Sequence, residues 1–322
     1  MTERAPRNKT LVLSRADEKL LSKRLLHIDS VVDNIDEVMD RTICGDCTKV
    51  LPLWPDGFAD LVIVDPPYNI DKRFKQMRFR AMSDEGYEEF LESWMGMLCS
   101  KLRPGGSIYV CCDWKSSCAV AKVLSRHVTI LNRITWQREK GRGAKSNWKN
   151  SMEDIGFGVV DPERYYFDLN AVKQKRRVLA PYRTDDTPKD WHQTDEGKFR
   201  LTCPSNFWDD ITVPYWSMPE NTEHPTQKPE KLIAKLILAS CPEGGVVLDP
   251  FVGSGTSSVV ARKLGRHYVG IELDKYYGCV AERRIELAMQ DASIQGYSDG
   301  VFWERNTLVE QRRASKKHTK QK

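Results

Sequence analysis

Three short stretches carry residue types that could do chemistry. The first is Asp65-Pro-Pro-Tyr68, which places a carboxylate, two prolines and an aromatic ring directly after the apolar run 61–64. That run reads as a short buried strand, so the carboxylate stands where a turn must begin. The second, Asp249-Pro-Phe251-Val-Gly253-Ser-Gly255-Thr256, follows another apolar run and opens a helical pattern. A glycine-rich turn in that context suits a nucleotide-like ligand, because glycine lets the backbone approach closely and a helix N-terminus favours polar groups. It is not a P-loop, since no Gly-Lys-Ser/Thr follows, and Ser258 stands where the dinucleotide fingerprint needs its third glycine. Glu272 ends the next apolar run, where an acidic residue would accept hydrogen bonds from a ribose diol. A nucleoside ligand is favoured over a pyrophosphate, with a purely structural β-turn-α as the alternative. The third stretch, His224-Pro-Thr-Gln-Lys-Pro229, has two readings. It is a helix start with Pro229 at the first helical position, or a loop offering amides, Thr226 and Lys228 to an anionic group. Spacing leaves both open.

The elements that must position these groups follow from periodicity. Ser14 can cap a helix from Arg15 through Leu21 and Leu25, and a second amphipathic stretch covers 31–39. From Thr42 short apolar strands (41–44, 61–64, 107–111) alternate with longer amphipathic segments, including a helix over 84–102 stopped by Arg103-Pro-Gly-Gly106. Residues 161–221 break that rhythm with Pro, Asp, Arg, Tyr and Trp, and read as an irregular insert. The alternation then returns with a helix over 228–240, a strand over 246–248, a helix over 257–264 and a strand over 267–271. This is the pattern of an α/β protein with a parallel sheet. The expected divisions are an N-terminal helical segment (1–40), a first α/β half (41–160), the insert (161–221), a second α/β half (222–290) and a C-terminal segment with a basic tail (291–322).

Composition excludes other classes. At 322 residues, 40% hydrophobic and 30% charged, the chain can bury a substantial core. No apolar run approaches a membrane span and the start lacks an uncharged apolar segment, so a cytoplasmic, non-membrane protein is expected. Nine unevenly spaced cysteines do not form a disulfide framework. Cys44-Gly-Asp-Cys47 lacks a second ligand pair, and the six histidines are scattered, so no metal site is expected. The net charge of +5 is a weak sign of a nucleic-acid partner, but its distribution says more. Lys140, Arg142, Lys145, Asn147, Trp148 and Lys149 mix cations with glycine and an aromatic, as a loop on a phosphate backbone would. Residues 173–177 form a second cationic cluster and 312–322 a basic tail, for which a solvated surface is the plainer reading.

Asp65-Pro-Pro-Tyr68, His224-Pro-Thr-Gln-Lys-Pro229 and the turn 249–256, in that order around a variable region, strongly resemble the β-class S-adenosylmethionine-dependent DNA amino-methyltransferases of restriction-modification systems. The likeness spans about residues 40–290, with Ile134-Thr-Trp136, Asn147-Trp148 and Met152-Glu153 matching a further family segment. It implies a doubly wound, mostly parallel sheet of the Rossmann-like methyltransferase type with a late antiparallel strand. The order is circularly permuted, so that the catalytic half precedes the cofactor half. It also implies a target-recognition role for the insert and double-stranded DNA as partner; a homodimer stays open. Carried over, it places the donor's methionine and sulfonium near Phe251, Gly253 and Gly255, with Asp249, Pro250, Ser254 and Thr256 in the same turn. Glu272 and Leu273 fall at the ribose, Asp46 and Cys47 at the adenine, and Thr226 and Lys228 near the carboxylate end.

The first stretch then has a chemical meaning. An exocyclic amine of adenine or cytosine is a poor nucleophile because its lone pair is delocalised into the ring, and hydrogen-bond acceptors can draw it toward tetrahedral geometry. Asp65 supplies one acceptor and a base, worth about 10²- to 10⁴-fold. Pro66 has a carbonyl and no competing N–H, and Pro67 biases it away from the helical region, presenting that carbonyl as a second acceptor. Tyr68 offers a ring on which a flipped base can stack, worth about 1–3 kcal/mol. Asp at the motif's head favours adenine N6; the alternatives are cytosine N4 and, in another class, a catalytically silent DNA-binding regulator.

Overall fold

The computed structural model describes residues 5–74, 77–138, 147–178, 183–184, 187–188, 190–194, 197–305, 307 and 311. Its main sheet has eight strands: β1 (Arg41–Cys44), β2 (Ala59–Val64), β3 (Leu102–Cys112), β4 (Thr129–Gln137), β5 (Met152–Val159), β6 (Phe207–Trp208), β7 (Val246–Asp249) and β8 (His267–Glu272). Their spatial order is β1-β8-β7-β2-β3-β5-β4-β6. All neighbours pair in parallel except those of β5, which runs antiparallel to both β3 and β4. The sheet is therefore doubly wound and mostly parallel, with one late antiparallel strand.

The period-2 alternation of β2 explains how the sheet is covered on both faces. Leu61 and Ile63 point into one apolar cluster with α5 (Glu230–Ser240) and α6 (Thr256–Lys263), while Val62 and Val64 point into the opposite cluster. That second cluster holds Tyr87, Leu91, Trp94, Met95 and Leu98 of α3 (Asp84–Ser100) and Val120, Val123 and Leu124 of α4 (Ser117–Leu124). A short α2 (Cys47–Val50) is capped by Asp46, whose Oδ1 accepts from Thr48 N at 3.0 Å. At the N-terminal end, α1 (Arg15–Leu21) starts in a capping box between Ser14 and Asp17. Its Leu21 packs with Leu25 on Cys279 and Val280 of α7 (Lys275–Gln290).

Five expectations from sequence change. The helix begun at Arg15 stops at Leu21, with Ser22 as its cap, and does not reach Leu25. The helix over 84–102 ends at Ser100, and Leu102 already belongs to β3, because the chain turns at Lys101 and re-enters the sheet beside Ala59. The stretch 31–39 forms only a 3₁₀ turn, Ile35–Glu37. Pro229 is the cap of α5 rather than its first residue. The insert is irregular only in part: Gln174–Arg177, His192–Thr194 and Gly197–Thr202 form an antiparallel sheet. The C-terminal strand Val301–Trp303 joins it in parallel beside Gln174–Arg177, followed by Tyr297–Ser298. The strands are short, and the pairing that joins the C-terminal segment to the insert brings Phe302 beside Gln174 from far along the chain, so no local alternation marks it.

Helix α5 is buried along its whole length. It carries two lysines into the seam with the insert, where Lys231 and Lys235 lie 2.7 and 2.9 Å from the buried Asp210. Lys235 also sits 4.9 Å above the Trp208 ring. Burial opposes the charge of Lys235 and lowers its pKa to about 8 despite Asp210.

Candidate active site

Neighbouring parallel strands β2 and β7 both end at acidic residues, Asp65 and Asp249. From β2 the chain winds toward β3 and from β7 toward β8, so the two loops open at the topological switch point, where open α/β sheets bind ligands. A cavity of ≈ 460 Å³ lies there, a volume suited to a small-molecule site. Its lining includes Asp46, Cys47, Asp65, Pro66, Pro67, Tyr68, Thr226, Lys228, Asp249, Pro250, Phe251, Gly253, Ser254, Thr256, Glu272 and Leu273. Residues from five separated stretches of sequence thus meet in one space.

On the β7 side the glycine-rich turn is held from several directions. Asp249 Oδ1 accepts from the Phe251 N–H at 2.9 Å, and its other oxygen accepts from the Ser257 hydroxyl. Glu272 Oε2 accepts from the Gly253 N–H at 2.8 Å and Oε1 from the Asp274 N–H at 2.8 Å. Burial pushes both carboxyls up to about 7, against the hydrogen bonds that pull them down. Buried Arg284 donates to the Ser254 carbonyl and the Thr256 hydroxyl, both at 2.9 Å, and to Glu230 at 3.0 Å. Phe251 faces Trp94 edge-on at 5.2 Å.

Two glycines of this turn do different work. Gly253 has φ +52° and lies where a Cβ would come 3.1 Å from the His224 ring, within the cavity wall. Gly255, expected beside the donor, does not line the cavity. It has φ +83°, and a Cβ there would lie 2.6 Å from Ala281 Cβ, so its glycine is required by the close packing of α6 on α7.

On the β2 side Asp65 is met by a cation. Lys228 Nζ lies 2.6 Å from Asp65 Oδ1 and 3.3 Å from Glu153 Oε2. The Tyr68 hydroxyl is 3.0 Å from Asp65 Oδ1, 3.1 Å from Glu153 Oε2 and 3.1 Å from Lys228 Nζ. Arg138 completes the set on Glu153 Oε1. Burial pushes the Asp65 carboxyl up, opposed by the Lys228 charge. Burial likewise opposes the Lys228 charge, but Asp65 and Glu153 outweigh it and hold its pKa above the ordinary lysine value. Tyr87 fixes the turn by donating to the Pro67 carbonyl at 3.0 Å.

Several sequence expectations fall elsewhere. Lys228, expected near a ligand carboxylate, lines the cavity and there pairs with Asp65. Lys140, Arg142 and Lys145 lie outside the described residues, as does the tail 312–322. Asn147, Trp148 and Lys149 are exposed and outside the cavity lining, with Trp148 95% exposed. Among the described residues no group of three or more His, Cys, Asp or Glu stands together to hold a metal. Burial pushes the Cys47 thiol up to about 12, so it is an inert wall residue. Sequence reasoning missed Glu153 as a site residue, together with Trp94, Cys111, His224 and Tyr277 of the lining. A lone acid on a strand gives no local signal of its partner 75 residues later.

A family model described as DNA methylase, for N6 and N4 amino groups, matches residues 59–283, more than half of the chain. The chain belongs to the N6/N4 DNA methylase family. Among curated relatives, this methylase is 32% identical over 248 residues to the type II methyltransferase M.HpaI of Haemophilus parainfluenzae, covering 76% of this chain and 74% of that protein. It is also 32% identical over 252 residues to the DNA adenine methyltransferase YhdJ of Escherichia coli K12, covering 76% and 82%. Among solved structures, a putative DNA modification methylase of Thermus thermophilus complexed with S-adenosyl-L-methionine superposes with a TM-score of 0.52 at 19% identity, covering 83% of this chain and 98% of that one. At that identity the match speaks to the methylase's fold. No helix among the methylase's described residues is long and apolar enough to cross a membrane.

Proposed function

We propose that this methylase transfers a methyl group from S-adenosylmethionine to N6 of an adenine flipped out of double-stranded DNA, as the modification enzyme of a restriction-modification system. The observation that carries this reading is that Asp65, at the end of β2, lines the same cavity as the glycine-rich turn at the end of the neighbouring β7. A base acceptor and a nucleoside-binding turn then stand side by side. The family relation supports methyl transfer to an amino group of DNA, and the name of YhdJ supports adenine.

The lining fits the donor chemically. Its volume admits a nucleoside-sized molecule, buried Gly253 brings backbone to the wall, and Glu272 stands within that wall as an acceptor for ribose hydroxyls. Phe251 gives an apolar wall, and Asp46, Pro250, Leu273 and Thr226 complete the contact set. When bound, the donor supplies an electrophilic methyl group on a positively charged sulfur. Asp249 and Glu272 line the same cavity and, when ionised, would offer that cation negative charge.

The chain's own residues prepare the amine. Asp65 accepts one amine hydrogen, and the Pro66 carbonyl, fixed by the turn that Tyr87 pins through Pro67, accepts the other. The Tyr68 ring, whose hydroxyl is held by three polar partners, presents a face for the flipped base. Exposed Trp148 and Lys149 lie on the segment entering β5, and with the flanking cations they contact the DNA backbone. The test is to methylate DNA with labelled donor, hydrolyse it and identify the modified nucleoside. N6-methyldeoxyadenosine is expected; N4-methyldeoxycytidine would overturn the choice of base, and no incorporation the whole reading.

A further inference from the structure

The Lys228 ammonium has three N–H donors, and three acceptors surround it. These are Asp65 Oδ1 at 2.6 Å, the Tyr68 hydroxyl at 3.1 Å and Glu153 Oε2 at 3.3 Å. Its side chain is only 7% exposed, and these three oxygens are the partners its donors have in the donor-free protein. Both contacts to Asp65, from Lys228 and from Tyr68, fall on the same oxygen, Oδ1. Among the described residues Oδ2 is left with its lone pairs for an incoming amine.

We infer that Lys228 is a positioning residue for methyl transfer: with Glu153 and the Tyr68 hydroxyl it locks Asp65 through Oδ1, leaves Oδ2 as the acceptor for the substrate amine, and takes no part in binding the donor. This rests on the reading of Asp65 as that acceptor. The physical need is plain. An isolated carboxylate in a buried site takes up a proton, and a protonated Asp65 offers a competing O–H where the amine requires an acceptor. A compact ammonium on a flexible stem can bridge three oxygens converging from separate elements, which a planar guanidinium cannot do with the same geometry. Glu153 serves as the second anchor and is itself held by Arg138 from the end of β4.

The groups facing Asp65 are Lys228 from the loop before α5, Glu153 from β5, Tyr68 of its own turn, Tyr87 from α3, Cys111 from β3 and Asp249 from β7. Lys228 is the cation among them in direct contact, so its removal leaves Asp65 surrounded by acids and weak acids. The acid limb of the transfer rate must then move to higher pH.

The experiment is single-turnover methyl transfer with saturating donor and DNA between about pH 6 and 9, alongside donor affinity by calorimetry, for the full-length Lys228→Met variant. The expected result is a donor Kd within about threefold of the unaltered protein, and transfer at neutral pH reduced about 10²-fold, the lower end of what a positioned base contributes. Part of that loss should be recovered at the alkaline end of the range. A donor Kd raised about tenfold or more with the acid limb in place would overturn the inference and return Lys228 to the donor. Should Lys228→Met lack a cooperative melt, Tyr68→Phe and Glu153→Gln each alter one of the three acceptors. Tyr68→Phe loses a hydrogen bond that holds the Asp65 carboxyl down and should move the limb in the same direction by less. Glu153→Gln loses a negative charge that pushes that carboxyl up and should move the limb to lower pH. An unmoved limb in both overturns the inference. Asp65→Asn retaining full transfer would instead sink the reading of Asp65 itself.

Discussion

At the scale of single residues, the site is a problem of placing carboxylates where water is scarce. Asp65, Asp249 and Glu272 are all pushed upward by burial, yet they have different neighbours. Asp65 has an ammonium; Asp249 and Glu272 have backbone amides and a hydroxyl. Asp65→Ala should therefore leave donor binding intact while transfer falls by about 10²- to 10⁴-fold, read as single-turnover rate beside calorimetric Kd. Titration of the other two carboxyls should show in donor binding. Both are near about 7 in the donor-free protein, and a cationic donor prefers them ionised. Donor affinity should rise between about pH 6 and 8, and Glu272→Gln should flatten that rise. The effect on folding has the opposite sign. From the ordinary carboxylate range near about 4 up to about 7, the folded form holds protons that the unfolded form has lost. These two groups thus favour the donor-free fold at low pH and cease to do so as pH rises through about 7, which thermal unfolding across that window would show.

At the scale of elements, two of the three motifs and Glu272 were legible because they sit at strand exits, where local sequence changes abruptly from apolar to turn-forming. Asp65, Gly253 and Glu272 all obey this, and the strands before them have the expected burial on both faces. Gly255 shows the limit of such reading. A glycine in a ligand-binding turn and a glycine under a crossing helix look alike in sequence, and only the position of Ala281 separates them. Gly255→Ala should thus act on the fold rather than on the ligand. A methyl group with Ala281 Cβ at 2.6 Å, at φ +83°, should cost about 1–3 kcal/mol or more of stability. Chemical denaturation would measure it, and an unchanged midpoint would contradict the packing described. The same element-level blindness hid the partners of Lys228: its motif marks the lysine as an anion-binding candidate, but only the fold brings Asp65 and the Glu153 of β5 beside it.

At the scale of the whole molecule, the insert and the C-terminal segment are one packed unit. Trp303, fully buried, packs edge-on against Phe199 at 5.9 Å with Lys175 4.2 Å above its ring, and its carbonyl accepts from Lys231 of α5. Trp303→Ala should cost about 3–5 kcal/mol, chiefly in this unit. DNA binding should fall while donor affinity holds, measured by anisotropy and calorimetry; loss of both would mean that the two regions unfold together. Asp210, which joins Lys231 and Lys235 across the seam, marks how the unit is fastened to α5. The sequence by itself determined the α/β alternation, the three motifs and their order, because hydrophobic period and turn chemistry are written within a few neighbouring residues. The tertiary structure alone decided that Lys228 belongs to Asp65, that Gly255 belongs to Ala281 and that a C-terminal strand completes the insert's sheet. Each of those is a contact between residues distant along the chain, and burial, which sets its energy, exists only once the chain has closed upon itself.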